Sequence, residues 1–235
     1  MPSFPFSAEP KRRSGVLEKA TYRILLVETE IALWLSLLLF AAPSALKYLS
    51  VLIPFFLALP ALFVPRSPCL LLPVALAFTL VADAFFLLLT PPRPLVAIGF
   101  FLVVQVVYFF YLRSDVGRAR LLRALALRVA VCLSLLPPIF LLFGADPIVL
   151  LGAVYGVWLV SNLLVALRGK DPLFAIGMVL FFSCDLSLGV GFLFVRAGDA
   201  ALSGFFGGAA WVFYPPSQTL IALSADVDRG GLARE

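Results

Sequence analysis

Apolar residues run in long blocks from Tyr22 to Ser224, separated by short clusters of proline, glycine and charge. A block of about twenty such residues is the length that crosses a bilayer as a helix. The blocks predict helices over 22–42, 46–64, 70–89, 95–112, 121–143, 148–168, 173–195 and 205–224. The breaks have a local cause. Pro43, Pro65-Arg66-Ser67-Pro68, Pro91-Pro92-Arg93-Pro94, Gly144-Ala145-Asp146-Pro147 and Arg168-Gly169-Lys170-Asp171-Pro172 combine residues that end helices with charges that stay in water. Pro54, Pro60 and Pro137-Pro138 fall within predicted helices, where each frees a backbone carbonyl and can kink the chain.

Composition agrees with that pattern: 63% of the 235 residues are hydrophobic and 13% charged, which excludes an ordinary soluble domain. The expected fold is an all-α integral membrane protein with eight transmembrane helices. Eight spans place all but Lys47, Arg93 and Arg196 of the 18 basic residues on one face. That asymmetry makes the basic face, and both termini, cytoplasmic. The chain then divides into a basic leader over 1–21, the helical domain over 22–224 and a cytoplasmic tail over 225–235. The leader is too long in its basic part, and the run behind it too long, for a cleavable signal. The expected location is the cytoplasmic membrane if the source is bacterial, or an endoplasmic reticulum-type membrane if eukaryotic. The net charge of +5 is distributed between apolar runs, which points to lipid head groups and away from nucleic acid. Cys69, Cys132 and Cys184 lack metal-ligand spacing, histidine is absent, and no metal or cofactor is expected.

Two carboxylates interrupt the apolar runs at depth. Asp83 lies about 20 Å along its helix from Leu70, and Asp185 about 18 Å from Leu173. Both helices start on the same face, so the two acids can share one level of the membrane. A carboxyl group in hydrocarbon is costly, and without a cation at its depth it marks a functional site by default. Other polar groups occur nearby in depth. Gln105 and Tyr108 share one helix face, as do Tyr214 and Gln218, and Tyr155, Asn162 and Ser183 can join them. Glu28 and Glu30 sit on different faces of the first helix. If the faces converge, the bundle encloses a polar pocket with apolar walls.

Four stretches carry a resemblance. LVADAFFLL around Asp83, IGFFLVVQVVYFF around Gln105 and Tyr108, FFSCDLSLGVGFL around Asp185 and FYPPSQTLIALS around Gln218 resemble, in order, motifs of the YhhN family of lysoplasmalogenase-like membrane proteins. Ala82 stands where that family commonly has glycine, and Gln105 where it commonly has histidine. The resemblance implies hydrolysis of the vinyl ether of a lysophospholipid to a fatty aldehyde and a glycerophospho-alcohol. Asp83 and Asp185 would then be catalytic, one as acid and one as base. Gln105 and Gln218 would position water or glycerol oxygens, Tyr108 and Tyr214 would bond to the carboxyls or the substrate, and Tyr155, Asn162 and Ser183 would complete the pocket. Phenylalanine-rich walls would receive the alkenyl chain, and arginines at the cytoplasmic edge are candidates for the phosphate. Buried acids and kinked helices equally suit a small proton-coupled transporter or a lipid-handling protein without hydrolase activity. A membrane scaffold would need neither aspartate.

Overall fold

The computed structural model describes residues 10–40, 43–63, 68–114 and 116–225. They form eight α-helices in series: α1 (Pro10–Leu39), α2 (Ser44–Ala58), α3 (Leu71–Asp83), α4 (Pro94–Tyr111), α5 (Arg118–Phe143), α6 (Pro147–Ala166), α7 (Pro172–Arg196) and α8 (Ala200–Leu223). A tighter 3-10 segment, Leu59–Phe63, prolongs α2, and a π-helical turn, Ala84–Leu88, prolongs α3. Each predicted helix is present. With their extensions, six of them are long and apolar enough to cross a membrane: Ser44–Phe63, Pro68–Leu88, α4, α5, α6 and α7. α1 falls short because charges such as Arg23, Glu28 and Glu30 extend well into it, and α8 because glycine, serine and glutamine dilute its apolar residues. The architecture is that of an all-α, multi-pass membrane protein.

One boundary departs from expectation. α1 begins at Pro10 rather than near Tyr22, so the second half of the basic leader is helical. Residues 1–9 of that leader, residues 226–235 of the tail and residues 64–67 between α2 and α3 lie outside the described residues.

The helix starts follow from their caps. Asp146 accepts hydrogen bonds from the Ile148 and Val149 amides at 2.8 and 3.4 Å, and Asp171 from those of Leu173 and Phe174 at 3.1 and 3.2 Å. In both, proline follows immediately at the first helical position, where its missing amide costs nothing. Gly198, at φ 79°, turns the chain between α7 and α8, and Asp199 caps α8 through the Leu202 amide at 2.9 Å. α7 and α8 can then pack along their lengths because Gly177 lies against α8. A Cβ there would stand 2.8 Å from Ile221 Cγ1 and 3.1 Å from the Ser217 carbonyl oxygen. Small residues at such crossings are how membrane helices gain packing without a hydrophobic drive.

Most buried side chains form one core between α2, α3, α4, α7 and α8, including Val51, Leu76, Val104, Met178, Phe181 and Ile221. A smaller second core, Phe109, Cys132 and Trp158, lies between α4, α5 and α6. α5 turns Leu127, Leu133, Leu141 and Leu142 outward, as a lipid-facing helix does.

Candidate active site

Asp83 ends α3 where the α-helical ladder gives way to the π-helical turn. Such turns re-aim side chains and recur at functional sites. Here Asp83, Phe86 and Leu87 all line a cavity of about 600 Å³. Asp185, near the middle of α7, lines the same cavity, so the expected convergence of the two acids is present. Each carboxyl has its own phenol. Tyr214 donates to Asp83 Oδ2 at 2.6 Å, and Tyr155 donates to Asp185 Oδ2. One oxygen of each acid is thereby held, and Oδ1 is left for whatever enters.

Two prolines follow Tyr214 within α8. Pro215 has no amide to bond the Trp211 carbonyl one turn back, and that freed oxygen accepts a hydrogen bond from the Trp34 indole at 3.2 Å. The break is satisfied by α1, and α8 continues.

The other lining groups follow helical periodicity. On α7 they are Cys184, Asp185, Leu188, Gly189, Phe192, Leu193 and Arg196, and on α6 Ile148, Val149, Gly152 and Tyr155. α4 contributes Pro94, Ile98 and Phe101. The start of α4, the end of α5, the start of α6 and the end of α7 lie on one face of the bundle. The cavity therefore runs from the acids toward that face, where Arg196 pairs with Asp146. Lys47 stands over the Trp211 ring at 5.1 Å, and Trp211 also lines the cavity. Arg93 directly precedes the lining residue Pro94. Of the three basic residues that charge counting set apart, Arg196 therefore lines the chamber, Lys47 packs on a lining ring and Arg93 adjoins a lining residue in sequence.

Of the nine residues expected at the site, Asp83, Asp185, Tyr155 and Tyr214 line the cavity, and five do not. Gln105 and Tyr108 continue the α4 column Ile98–Phe101 by one and two turns, below the acids, where packing is solid and both are buried. Gln105 adjoins the Tyr155 hydroxyl, although its Nε2 has no hydrogen-bond partner. Tyr108 packs edge-on against Phe174 at 5.3 Å and its hydroxyl is unpartnered. Asn162 lies two turns beyond Tyr155 and bonds to Gln105 Oε1 at 2.9 Å and to the Gln105 carbonyl at 2.7 Å. Gln218, one turn beyond Tyr214, is buried beside Ser217 at 3.3 Å. Ser183 misses for a rotational reason: two residues before Asp185 it faces the other side of α7, and its hydroxyl donates to the Val179 carbonyl at 2.9 Å.

Glu28 is exposed and Glu30 buried, as their different faces require, but neither lines the cavity. The described arginines of the basic-rich edge, expected to be cytoplasmic, do not line it either. The missed participants are Cys184, Trp211 and Arg196. Arg196 carried a readable signal, because eleven residues is about three helical turns and puts it on the Asp185 face.

Among the described residues no cluster of metal-ligating side chains occurs. Comparison with family models, with curated proteins and with solved structures finds no match to this chain. The resemblance to the YhhN family rests on its four motifs alone.

Proposed function

We propose that this chain belongs with the YhhN-like lysoplasmalogenases, crosses the membrane eight times with both termini cytoplasmic, and hydrolyses the vinyl ether of a lysoplasmalogen-type lysophospholipid. The supporting observation is that two carboxyl groups, each held by one tyrosine, line a single chamber whose remaining wall is mostly apolar.

The chemistry follows from that pairing. One carboxyl group transfers its proton to the β carbon of the vinyl ether, and the electron pair of the double bond forms the new C–H bond. The resulting oxocarbenium ion is stabilised by the negative charge across the chamber. The second carboxyl takes a proton from water as its oxygen attacks the cationic carbon, giving a hemiacetal. As the hemiacetal collapses, the first carboxylate takes back the hydroxyl proton and the second carboxyl gives its proton to the glycerol oxygen, so the carbon–oxygen bond breaks and aldehyde and glycerophospho-alcohol leave. Paired carboxyl groups perform this division of labour when their surroundings differ. Asp83 is nearly covered and bonded to α8, while Asp185 is partly exposed to the chamber and bonded to α6. No step needs a metal ion.

The chamber volume falls within the usual range for small-molecule sites. Phe86, Ile98, Phe101 and Phe192 offer an apolar surface to the alkenyl chain. Arg196 lies about 16 Å along α7 from Asp185, an interval that an arginine side chain and a phosphoglycerol unit together span. The phosphate thus meets its cation on the face opposite the cytoplasmic arginines.

Purified protein presented with ether, vinyl-ether and ester lysolipids is expected to release aldehyde from the vinyl ether alone, as read by mass analysis. Unchanged lipids throughout would overturn the activity. Proton-dependent uptake of an intact solute by proteoliposomes, without product, would establish the transporter reading in its place.

A further inference from the structure

A second charged region lies on the other side of α4, away from the chamber. Arg128 of α5 is only 3% exposed, and its Nη2 donates to Asn162 Oδ1 at 2.8 Å. Its guanidinium carbon sits 4.4 Å from the Phe109 ring centre and 4.9 Å from that of Trp158. Arg113, just beyond the end of α4, places its guanidinium carbon 4.6 Å from the same Phe109 ring. The two cations therefore share one aromatic side chain and act on each other electrostatically. In each, Nη1 is buried and has no hydrogen-bond partner. Among the described residues neither arginine forms an ion pair.

This arrangement is incomplete. Bringing two like charges together out of water is unfavourable, and a buried guanidinium with an unmade hydrogen bond adds to that cost. Cation–π contact with Phe109 and Trp158 offsets part of it and leaves the donors unsatisfied. An oxyanion between the two Nη1 atoms would neutralise the repulsion and satisfy both, in the fork geometry that makes arginine the usual phosphate ligand. Asn162 fixes the Arg128 plane from behind and is itself anchored on Gln105.

We propose that Arg113 and Arg128, backed by Phe109, Trp158 and Asn162, form a second site that binds a phosphate oxyanion between α4, α5 and α6. The site lies toward the basic-rich face and beside lipid-facing α5, which makes a phospholipid head group its natural source. It stands independently of the hydrolysis reading, since none of its residues lines the chamber.

The test uses the full chain, purified in detergent and stripped of lipid, with the unfolding temperature followed as ligand is added. The probes are dioctanoyl phosphatidylglycerol, dioctanoylglycerol as its phosphate-free counterpart, and inorganic phosphate at matched ionic strength. Phosphatidylglycerol is expected to raise the unfolding temperature and dioctanoylglycerol to leave it unchanged. Arg113→Gln, just beyond the end of α4, is expected to weaken half-saturation about tenfold, the effect of losing one charge-assisted hydrogen bond. Arg128→Lys keeps the charge and loses the fork, and is expected to do the same. An arginine-dependent shift with inorganic phosphate alone would support the site and assign it a soluble ligand. Equal responses from the natural chain and Arg113→Gln, or no response to either phosphate, would overturn it.

Discussion

The acid chamber and the arginine cluster stand back to back across α4 and resolve the same problem in opposite ways. In the chamber, each carboxyl group has a phenol donor and an open side. In the cluster, Asn162 ties Arg128 to Gln105, and among the described residues one nitrogen of each arginine has no partner. Polar groups at similar depth in a membrane bundle thus divide into those that face space and those that build the wall. Helix rotation makes the division: Ile98 and Phe101 line the chamber, while Gln105 and Tyr108, farther along the same column, are beneath its floor.

The largest effect that sharpens this contrast is expected from Asp83→Asn or Asp185→Asn. Each should lower aldehyde release by about 100- to 10,000-fold, the usual worth of a general acid or base, while the protein still elutes as a folded species. Tyr155→Phe and Tyr214→Phe come next. Each removes a hydrogen bond to a carboxyl group worth about 1.5–3 kcal/mol, so turnover should fall by about 10- to 100-fold.

Much of the fold was legible because membrane helices announce themselves by length, apolarity and proline punctuation. All eight helices are present, and the two acids were expected at one depth and are found on one chamber. Depth is a linear property of the chain. Rotation and neighbour choice are not, and these sent Gln105, Tyr108, Asn162 and Gln218 below the chamber. For Ser183 even rotation was readable, since two residues along a helix is just over a half-turn. The π-helical turn after Asp83 left no mark in a run of alanine, phenylalanine and leucine. The placement of Lys47, Arg93 and Arg196 depended on where the helices close the bundle, although the Asp185 to Arg196 spacing pointed to one of them.

Smaller effects probe the packing that holds the two regions apart. Gly177→Ala drives a methyl group into Ile221 and the α8 backbone, and should cost about 1–3 kcal/mol of stability by thermal unfolding. Gly189→Ala, with nothing within 4 Å of the added carbon, should leave stability unchanged. Asn162→Ala should destabilise the bundle by about 1 kcal/mol and leave KM unaltered. A large KM increase with unchanged stability would move Asn162 into the substrate site and erase the contrast drawn above.

The most direct measurement is a double-mutant cycle on aldehyde release from a vinyl-ether lysolipid, comparing Asp83→Asn, Asp185→Asn and the two together. Acids that act as one unit in one chamber predict that the double variant is no slower than the worse single variant. Full activity in either single variant, or losses that multiply as if the sites were independent, would contradict a shared chamber as the seat of the chemistry.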